Sequence, residues 1–548
     1  MSRECSASGR QQWRKITIEK AVQRRCAMTT SLNLPEVFNA ADHFVDRHIR
    51  EGRGERTAIL CNDCSYTYAD VQAGMNRVGN GLKSLGVRME ERIAVLLHDT
   101  EIYSQVFFGA IKIGAVPICL NTLMRPKDYQ YFLNDSRARV LIVESTLWEL
   151  VEPLRDSLLH LEHVIVTNGP APGATLAYEE WVSGQSSDLS PAPTTPDDPC
   201  FWLYSSGTTG QSKGTVHLQH DMVYAAETYG KQVLGVQESD ICFSAAKLFF
   251  AYGLGNGLYF PFHVGGTAVY LPGRPTPDAV SDIISRYRPT LFFGVPTLFS
   301  NMLVAEGGDL TGVRLCVSAG EALPPDILKR WEKRFGVAIL DGIGSTEMAH
   351  IFISNRIGDI QPGSTGLPVP GYEAKIVDEN LNPVLEGDIG TLLVKGDSSA
   401  AYYWNKHEKT KETMLGAWLN TGDKFYKNEK GYYYYVGRSN DMLKVGGIWV
   451  SPIEVEACLT EHPAVLECAV VGAADEDRLI KPRAFVVLQK GYVASKDMEK
   501  ELKAHVKGSL APYKYPRWIN FVEDLPKTAT GKIKRFVLKN ADDSDKPS

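Results

Sequence analysis

The sequence predicts an α/β protein in two unequal parts. A large N-terminal domain of mostly parallel sheets with flanking helices carries a β-rich subdomain, and a small C-terminal α+β domain follows it. Three observations predict this. From residue 34 to about 340, short apolar runs alternate with stretches of helical spacing, the pattern of parallel strands covered by helices on both faces. Beyond Gly371 the helical spacing thins and β-type runs succeed one another. Finally, 548 residues exceed what one hydrophobic core fills, and the pattern changes again after Arg438.

Residues 1–27 hold seven Lys or Arg against two Glu, a local charge of +5, without the apolar stretch of a secretory signal. They read as a basic, disordered extension, with Met28 as the alternative start. Residues 72–85 have helical spacing of apolar side chains, and Ile93-Ala94-Val95-Leu96-Leu97 reads as a buried strand. Residues 107–113 read as helix, and the chain around Pro117-Ile118-Cys119 as strand. Further strands are expected at 140–143 and 164–166. The Ser-, Pro-, Thr- and Asp-rich stretch 184–199 reads as a surface connection. An apolar run at 200–203 reads as strand and 222–233 as helix, with strands at 241–245, 267–271, 291–295, 313–317 and 337–340. The large domain is placed at 28–438, with 372–438 its β-rich part (strands at 373–377, 390–394 and 432–436). Residues 439–440 are the joint and 441–540 the small domain, with strands at 465–471 and 485–488. Ser495 suits the N-cap of a helix with Met498, Leu502 and Val506 on one side. Residues 541–548 form a polar tail that frays.

The net charge of −6, without a basic excess, argues against a dedicated nucleic-acid binder. With no apolar run of about 18 residues, no membrane span is expected. Ten cysteines scattered through a large core fit free thiols in a cytoplasmic protein. Cys61-x-x-Cys64 lacks the two further ligands a zinc site needs and reads as structural.

The stretch that organises the chemistry is Tyr204-Ser205-Ser206-Gly207-Thr208-Thr209-Gly210-Gln211-Ser212-Lys213-Gly214. Its glycines let backbone approach a ligand, successive N–H groups form a concave anion site, and the hydroxyls and Lys213 add donors and charge. That chemistry suits a polyphosphate, and the same composition also suits a flexible Ser/Gly/Thr loop. It is not a nucleotide-kinase P-loop, because the lysine precedes its glycine and no Ser or Thr follows at once.

The string resembles the phosphate loop of the adenylate-forming acyl-CoA synthetase superfamily. Five further matches fall in that family's order over roughly residues 35–540: Ser318-Ala319-Gly320-Glu321-Ala322-Leu323, Asp341-Gly342-Ile343-Gly344-Ser345-Thr346-Glu347, Thr421-Gly422-Asp423, Gly437-Arg438-x-x-Asp441-Met442-Leu443-Lys444, and Pro526-Lys527-Thr528-x-Thr530-Gly531-Lys532. Within the superfamily, residues 245–256 and 341–352 resemble benzoate–CoA ligases.

The resemblance implies an acid–thiol ligase that joins benzoate and CoA at the expense of ATP, giving AMP and diphosphate through an acyl-adenylate, with the small domain rotating between the two half-reactions. It implies catalysis by Lys532, whose ammonium bridges carboxylate and phosphate, and by Thr346 and Glu347, with Glu347 holding Mg²⁺ and Thr346 bonding the α-phosphate. Nucleotide contacts are implied for Ser205, Ser206, Gly207, Thr208, Thr209, Gly210, Lys213, Gly320, Glu321, Ala322, Asp341, Gly342, Ile343, Gly344, Ser345 and Thr346, with Asp423 and Arg438 at the ribose. The hinge falls at Asn440, where the family has Asp or Lys; Asn tolerates φ > 0, so the hinge survives the departure. CoA contacts are implied for Lys444, Gly446 and Gly447, and for Tyr513 and Lys514, which equally suit a packed aromatic and a surface lysine. An apolar, ring-shaped acid pocket draws on Tyr229, Phe249, Phe250, Tyr252, Phe293, Ile343 and His350, of which Phe250 holds the family's gate position. Some of these aromatics are expected to be core only. His217 and His220 read as structural.

The substrates are then an aryl carboxylate, ATP and CoA, handled by a monomer or homodimer. Alternatives are a 4-hydroxybenzoate or broad-scope aryl-CoA ligase, a stand-alone adenylation enzyme loading a carrier protein, and a non-catalytic nucleotide binder on the same fold. No Gly-x-Ser-x-Gly elbow supports a serine hydrolase.

Overall fold

The computed structural model describes residues 32–170, 172–173, 175–205, 211–305, 308–438, 441–445, 448–475, 479–527 and 533–540. The N-terminal extension 1–27 and the tail 541–548 lie outside them.

Two large sheets carry the βα alternation. In the eight-stranded one, Pro199–Ser205, Val116–Cys119, Arg92–Leu96, Val140–Glu144, His163–Thr167 and Leu176–Ala177 run parallel in that spatial order. Lys213–Leu218 and then Tyr402–Tyr403 extend its edge antiparallel. The nine-stranded sheet runs in parallel from Thr57–Cys61 through Thr267–Val269, Ile241–Ser244, Leu291–Gly294 and Leu315–Ser318 to Ile339–Gly344, and antiparallel strands border both ends. The parallel strands are buried almost throughout, as their continuous apolar runs require.

Cys61 and Cys64 close a two-residue hairpin whose Asn62 and Asp63 sit at φ 48° and 65°, residue types that accept left-handed backbone. The pair is a structural corner. The helix Tyr68–Ser84 starts on a Thr67/Asp70 capping box and lies close against Glu101–Lys112. A Cβ on Gly79 would sit 3.1 Å from Gly109 O, and one on Gly109 would sit 2.8 Å from Met75 O, so glycine sets that approach. Lys112 reaches from this interface to buried Asp46 (2.7 Å) and Asn76 (2.6 Å).

The expected connection 184–199 is stitched down along its length. Asn76 donates to Ser187 O and Asn80 to Ser186 O, and Thr194 is buried against Phe38 O. The expected helix at 222–233 begins as α over Asp221–Ala225 and widens to π over Ala226–Lys231; a second π segment spans Gly255–Tyr259. Such wide turns carry no simple sequence signature and recur beside functional sites.

The β-rich part is an antiparallel sheet of Glu373–Val377, Gly390–Lys395, Trp418–Lys427, Met414–Leu415 and Tyr433–Arg438. Tyr402–Tyr403, in the middle of that stretch, leaves it to join the eight-stranded sheet. The C-terminal part packs the helices Pro452–Thr460 and Lys496–Ser509 on a sheet of Val465–Ala474, Ile480–Leu488 and Trp518–Phe521. Ser495 caps its helix by accepting from Met498 N at 3.1 Å, and Leu502 and Val506 are buried.

Candidate active site

The site gathers where strands of both large sheets end. Ser205 closes the strand Pro199–Ser205, Lys213 opens Lys213–Leu218, and Thr346 and Glu347 follow Ile339–Gly344. Ligands in open α/β sheets bind at the carboxyl ends of strands for this topological reason. Glu347 Oε1 accepts from the Tyr403 hydroxyl at 2.7 Å and from Ser205 Oγ at 3.2 Å, and lies 3.8 Å from Lys213 Nζ. Burial alone would raise the Glu347 carboxyl; Lys213, Tyr403 and Ser205 outweigh it and hold the group below its ordinary 4.5, so it is an anion at neutral pH. Burial draws the Lys213 ammonium down from its ordinary value while Glu347 opposes that. Lys213 Nζ also sits 4.1 Å from the centroid of the Tyr403 ring.

Thr346 is held from beneath. His217, fully buried, lies with Nδ1 2.6 Å from Asp221 Oδ2 and Nε2 2.7 Å from Thr346 O.

Asp423 and Arg438 face each other in register across antiparallel strands, with Arg438 Nε 3.4 Å from Asp423 Oδ1. Asp423 raises the guanidinium's pKa further. Gly320 turns at φ 94° just after Leu315–Ser318 and leads into Glu321 and Ala322. Glu321 Oε2 lies 3.4 Å from Thr297 Oγ1, and Glu321 Oε1 accepts from the backbone N–H of Ile533 at 3.2 Å. Ile533 pairs with Lys527 across a hairpin that Lys534 N closes onto Pro526 O. The C-terminal part thus lays this hairpin against Glu321 of the large domain. Lys532 precedes Ile533 and lies outside the described residues, as do Ser206, Gly207, Thr208, Thr209, Gly210, Asn440, Gly446 and Gly447.

In the Asp341 string, Gly344 is required by space: a Cβ there would lie 2.5 Å from His350 O. Burial pushes the Asp341 carboxyl well above its ordinary range, and its Oδ1 is buried without a hydrogen-bond partner among the described residues. Ser345 Oγ is likewise buried and unpartnered among the described residues, and Gly342 and Ile343 pair with Ser354 and Ile353.

The aromatic residues expected to line an acid pocket divide by burial. Tyr229, Phe249, Phe293 and His350 are core-buried, whereas Phe250, Tyr252 and Ile343 are half-buried at its margin. The Phe249 and Phe250 ring centroids are 4.4 Å apart. Tyr252 donates toward Gly294 O (3.2 Å) and Val317 O (3.0 Å), tying its helix to the ends of two parallel strands. His350 is enclosed by Tyr229, Tyr252, Tyr259 and Phe260; burial lowers its pKa to about 3, and its Nδ1 has no partner among the described residues.

For CoA, the expected Lys514 is already committed, with Nζ 2.6 and 2.7 Å from the two oxygens of Glu454, and Tyr513 packs half-buried on the small domain's core. Lys444 lies on the strand Leu443–Val445.

Two residues of the site escaped sequence reasoning. His217, read as structural, turns out to hold the backbone of Thr346; its one local signal is the spacing to Asp221 four residues on. Tyr403 reaches Glu347 from 56 residues away in sequence, and its only signal is the run Tyr402-Tyr403-Trp404.

Compared with known proteins, residues 45–404 match the model of the AMP-binding enzyme family and residues 454–532 that of the AMP-binding enzyme C-terminal domain. The chain belongs to the AMP-binding enzyme family. Its members include a benzoate–CoA ligase of Thauera aromatica, 51% identical over 93% of this chain and 97% of the relative. A 4-hydroxybenzoate–CoA/benzoate–CoA ligase of Rhodopseudomonas palustris is 45% identical over 92% and 94%. Among solved structures of the family, an anthranilate CoA ligase in complex with anthranoyl-AMP has a TM-score of 0.91 at 45% identity, covering 93% of this chain and 98% of that one. A benzoate CoA ligase from Burkholderia xenovorans has a TM-score of 0.86 at 47% identity, covering 92% and 100%. The adenylate-forming fold with its small C-terminal domain is that of these family members. No helix among the described residues is long and apolar enough to cross a membrane.

Proposed function

We propose that this chain is an ATP-dependent benzoate–CoA ligase. A carboxylate oxygen of benzoate attacks the α-phosphorus of ATP and diphosphate leaves; the thiol of CoA then attacks the acyl carbon, losing its proton, and AMP leaves. The observation that carries the reading is the Ile533 N–H on Glu321, because it brings the residue that follows Lys532 in the chain against the large domain. Joining two anions requires positive charge where charge develops, and Lys532 and Lys213 are the cations we assign to supply it.

The residues present fit a nucleotide. Asp341, buried with one carboxyl oxygen unpartnered among the described residues, suits a donor such as the adenine amino group. Asp423 and Arg438 suit the ribose hydroxyls. Glu347, a buried carboxylate held ionised, suits Mg²⁺, which takes one or two carboxylates together with phosphate oxygens and water. Bound there, Mg²⁺ neutralises triphosphate charge. His217 keeps Thr346 in place for the α-phosphate. Half-buried Phe250, Tyr252 and Ile343 lie where an apolar ring would be received, and the benzoate–CoA ligase relatives support benzoate as that acid. Lys514, already paired with Glu454, is a weaker partner for CoA than Lys444 and the glycines that follow it.

The test is diphosphate release from benzoate and ATP before CoA is added, with hydroxybenzoates, 2-aminobenzoate, cyclohexane carboxylate and short fatty acids in parallel. Benzoate-dependent release is expected, and Lys532→Ala is expected to abolish it. Release at the wild-type rate from Lys532→Ala would overturn the mechanism.

A further inference from the structure

We propose that Tyr403 is a positioning residue that sets Glu347 and Lys213 for a magnesium-bound triphosphate; this rests on the ligase reading above. Its hydroxyl donates to Glu347 Oε1 at 2.7 Å, and the face of its ring seats Lys213 Nζ at 4.1 Å. One side chain thus touches both the site's carboxylate and its cation, and it is nearly fully buried while doing so. Those two charges stand 3.8 Å apart, too far for a close hydrogen-bonded ion pair. The tyrosine adds to their mutual attraction a fixed contact on each.

The backbone explains how Tyr403 holds that place. Tyr402 and Tyr403 pair with Val216 and Thr215 at the edge of the eight-stranded sheet, on the strand that Lys213 opens. Just before them, Ala400 N donates to Glu347 O at 2.7 Å and Ser398 Oγ to Met348 O at 2.8 Å. The 398–403 segment therefore grips the Thr346–Met348 turn by its main chain and the Glu347 carboxylate by its side chain. The contacts from Tyr403, Ser205 and Lys213 all fall on Oε1, so the second carboxylate oxygen has the capacity for a cation. When a triphosphate draws Lys213 away, the tyrosine hydroxyl remains to keep the carboxylate turned.

The hydroxyl and the ring separate by substitution. Tyr403→Phe removes the bond to Glu347 and keeps the seat for Lys213, whereas Tyr403→Leu removes both. ATP binding is measured calorimetrically without benzoate, so no turnover occurs, once with Mg²⁺ and once with EDTA. A hydrogen bond to a charged group corresponds to about tenfold in affinity at the low end of its range, the end taken here because Ser205 also bonds Glu347 Oε1. Tyr403→Phe is therefore expected to weaken Mg·ATP binding about tenfold and leave Mg-free ATP within about twofold, with the KM values for benzoate and CoA unmoved. Tyr403→Leu is expected to weaken both forms of ATP. In a Glu347→Gln background the effect of Tyr403→Phe on Mg·ATP is expected to vanish, which a general structural role would not produce. The assignment is overturned if Tyr403→Phe binds Mg·ATP as wild type does, loses both forms alike, or keeps its full effect without Glu347. If the wild-type chain binds no ATP at all, it is the ligase reading that fails.

Discussion

Replacing Glu321 with alanine separates the two half-reactions. Its carboxylate accepts the Ile533 N–H at 3.2 Å, a hydrogen bond between the large domain and the C-terminal hairpin. A hydrogen bond to a charged acceptor contributes about 1.5–3 kcal/mol, and about 1.4 kcal/mol is tenfold in an equilibrium. Losing it lowers the population of the hairpin-down arrangement by roughly 10- to 150-fold. The neutral Glu321→Gln keeps an acceptor oxygen whose bond contributes about 0.5–1.5 kcal/mol, so its loss is about 1–1.5 kcal/mol, or roughly 5- to 12-fold. Rapid-quench measurement of diphosphate release, at ATP concentrations saturating for each variant, reads this loss directly. The second half-reaction is started from preformed benzoyl-adenylate and CoA and should stay within about twofold, because rotation has by then withdrawn the hairpin. If Glu321→Ala slowed both half-reactions equally, or left adenylation within twofold, Glu321 would not be the latch.

Lys112→Met strands Asp46 as a buried, unpaired carboxylate and is expected to destabilise the large domain by about 3–5 kcal/mol in urea denaturation; a loss under about 1 kcal/mol would show the pair to be dispensable. His350 is lowered by burial from 6.5 to about 3, so between those values the unfolded chain holds a proton the folded chain does not. Stability then falls as pH drops from 6.5 toward 3, by at most about 1.4 kcal/mol per pH unit from this group. His350→Leu should flatten the pH 5 to 7 stability difference by up to about 2 kcal/mol, and an unchanged difference would place the histidine's proton elsewhere.

Strands buried on both faces announce themselves by their apolar runs, and the 200–203 run only had to grow by a residue or two at each end to become Pro199–Ser205. The site's motif residues were legible because each sits in a short string beside a strand end: Thr346-Glu347 after one, Asp423 opposite Arg438 within a hairpin. What was illegible depends on the third dimension. His217 meets Thr346 across 129 residues, a pairing that exists only because a strand edge of one sheet passes beneath the end of a strand in the other. Lys514 looked available for a nucleotide because nothing local announces Glu454, 60 residues earlier, as its partner. The widening to π at 226 and 255 follows from packing rather than propensity, so the helical spacing could announce a helix but not its pitch.

The excursion of Tyr402–Tyr403 out of the β-rich sheet sets a limit on how this protein can be cut. A fragment ending at 371 would contain both large sheets by sequence, yet its eight-stranded sheet would lack an edge strand, baring the backbone of 215–216, and Glu347 would lose its phenol. Trp404, which packs 4.7 Å from Trp202 and donates to Asp135 O, would leave a gap in the wall beside it. The three regions are continuous in the chain but interleaved in space, so the smallest autonomous piece bearing a complete carboxylate–lysine floor must run past residue 404.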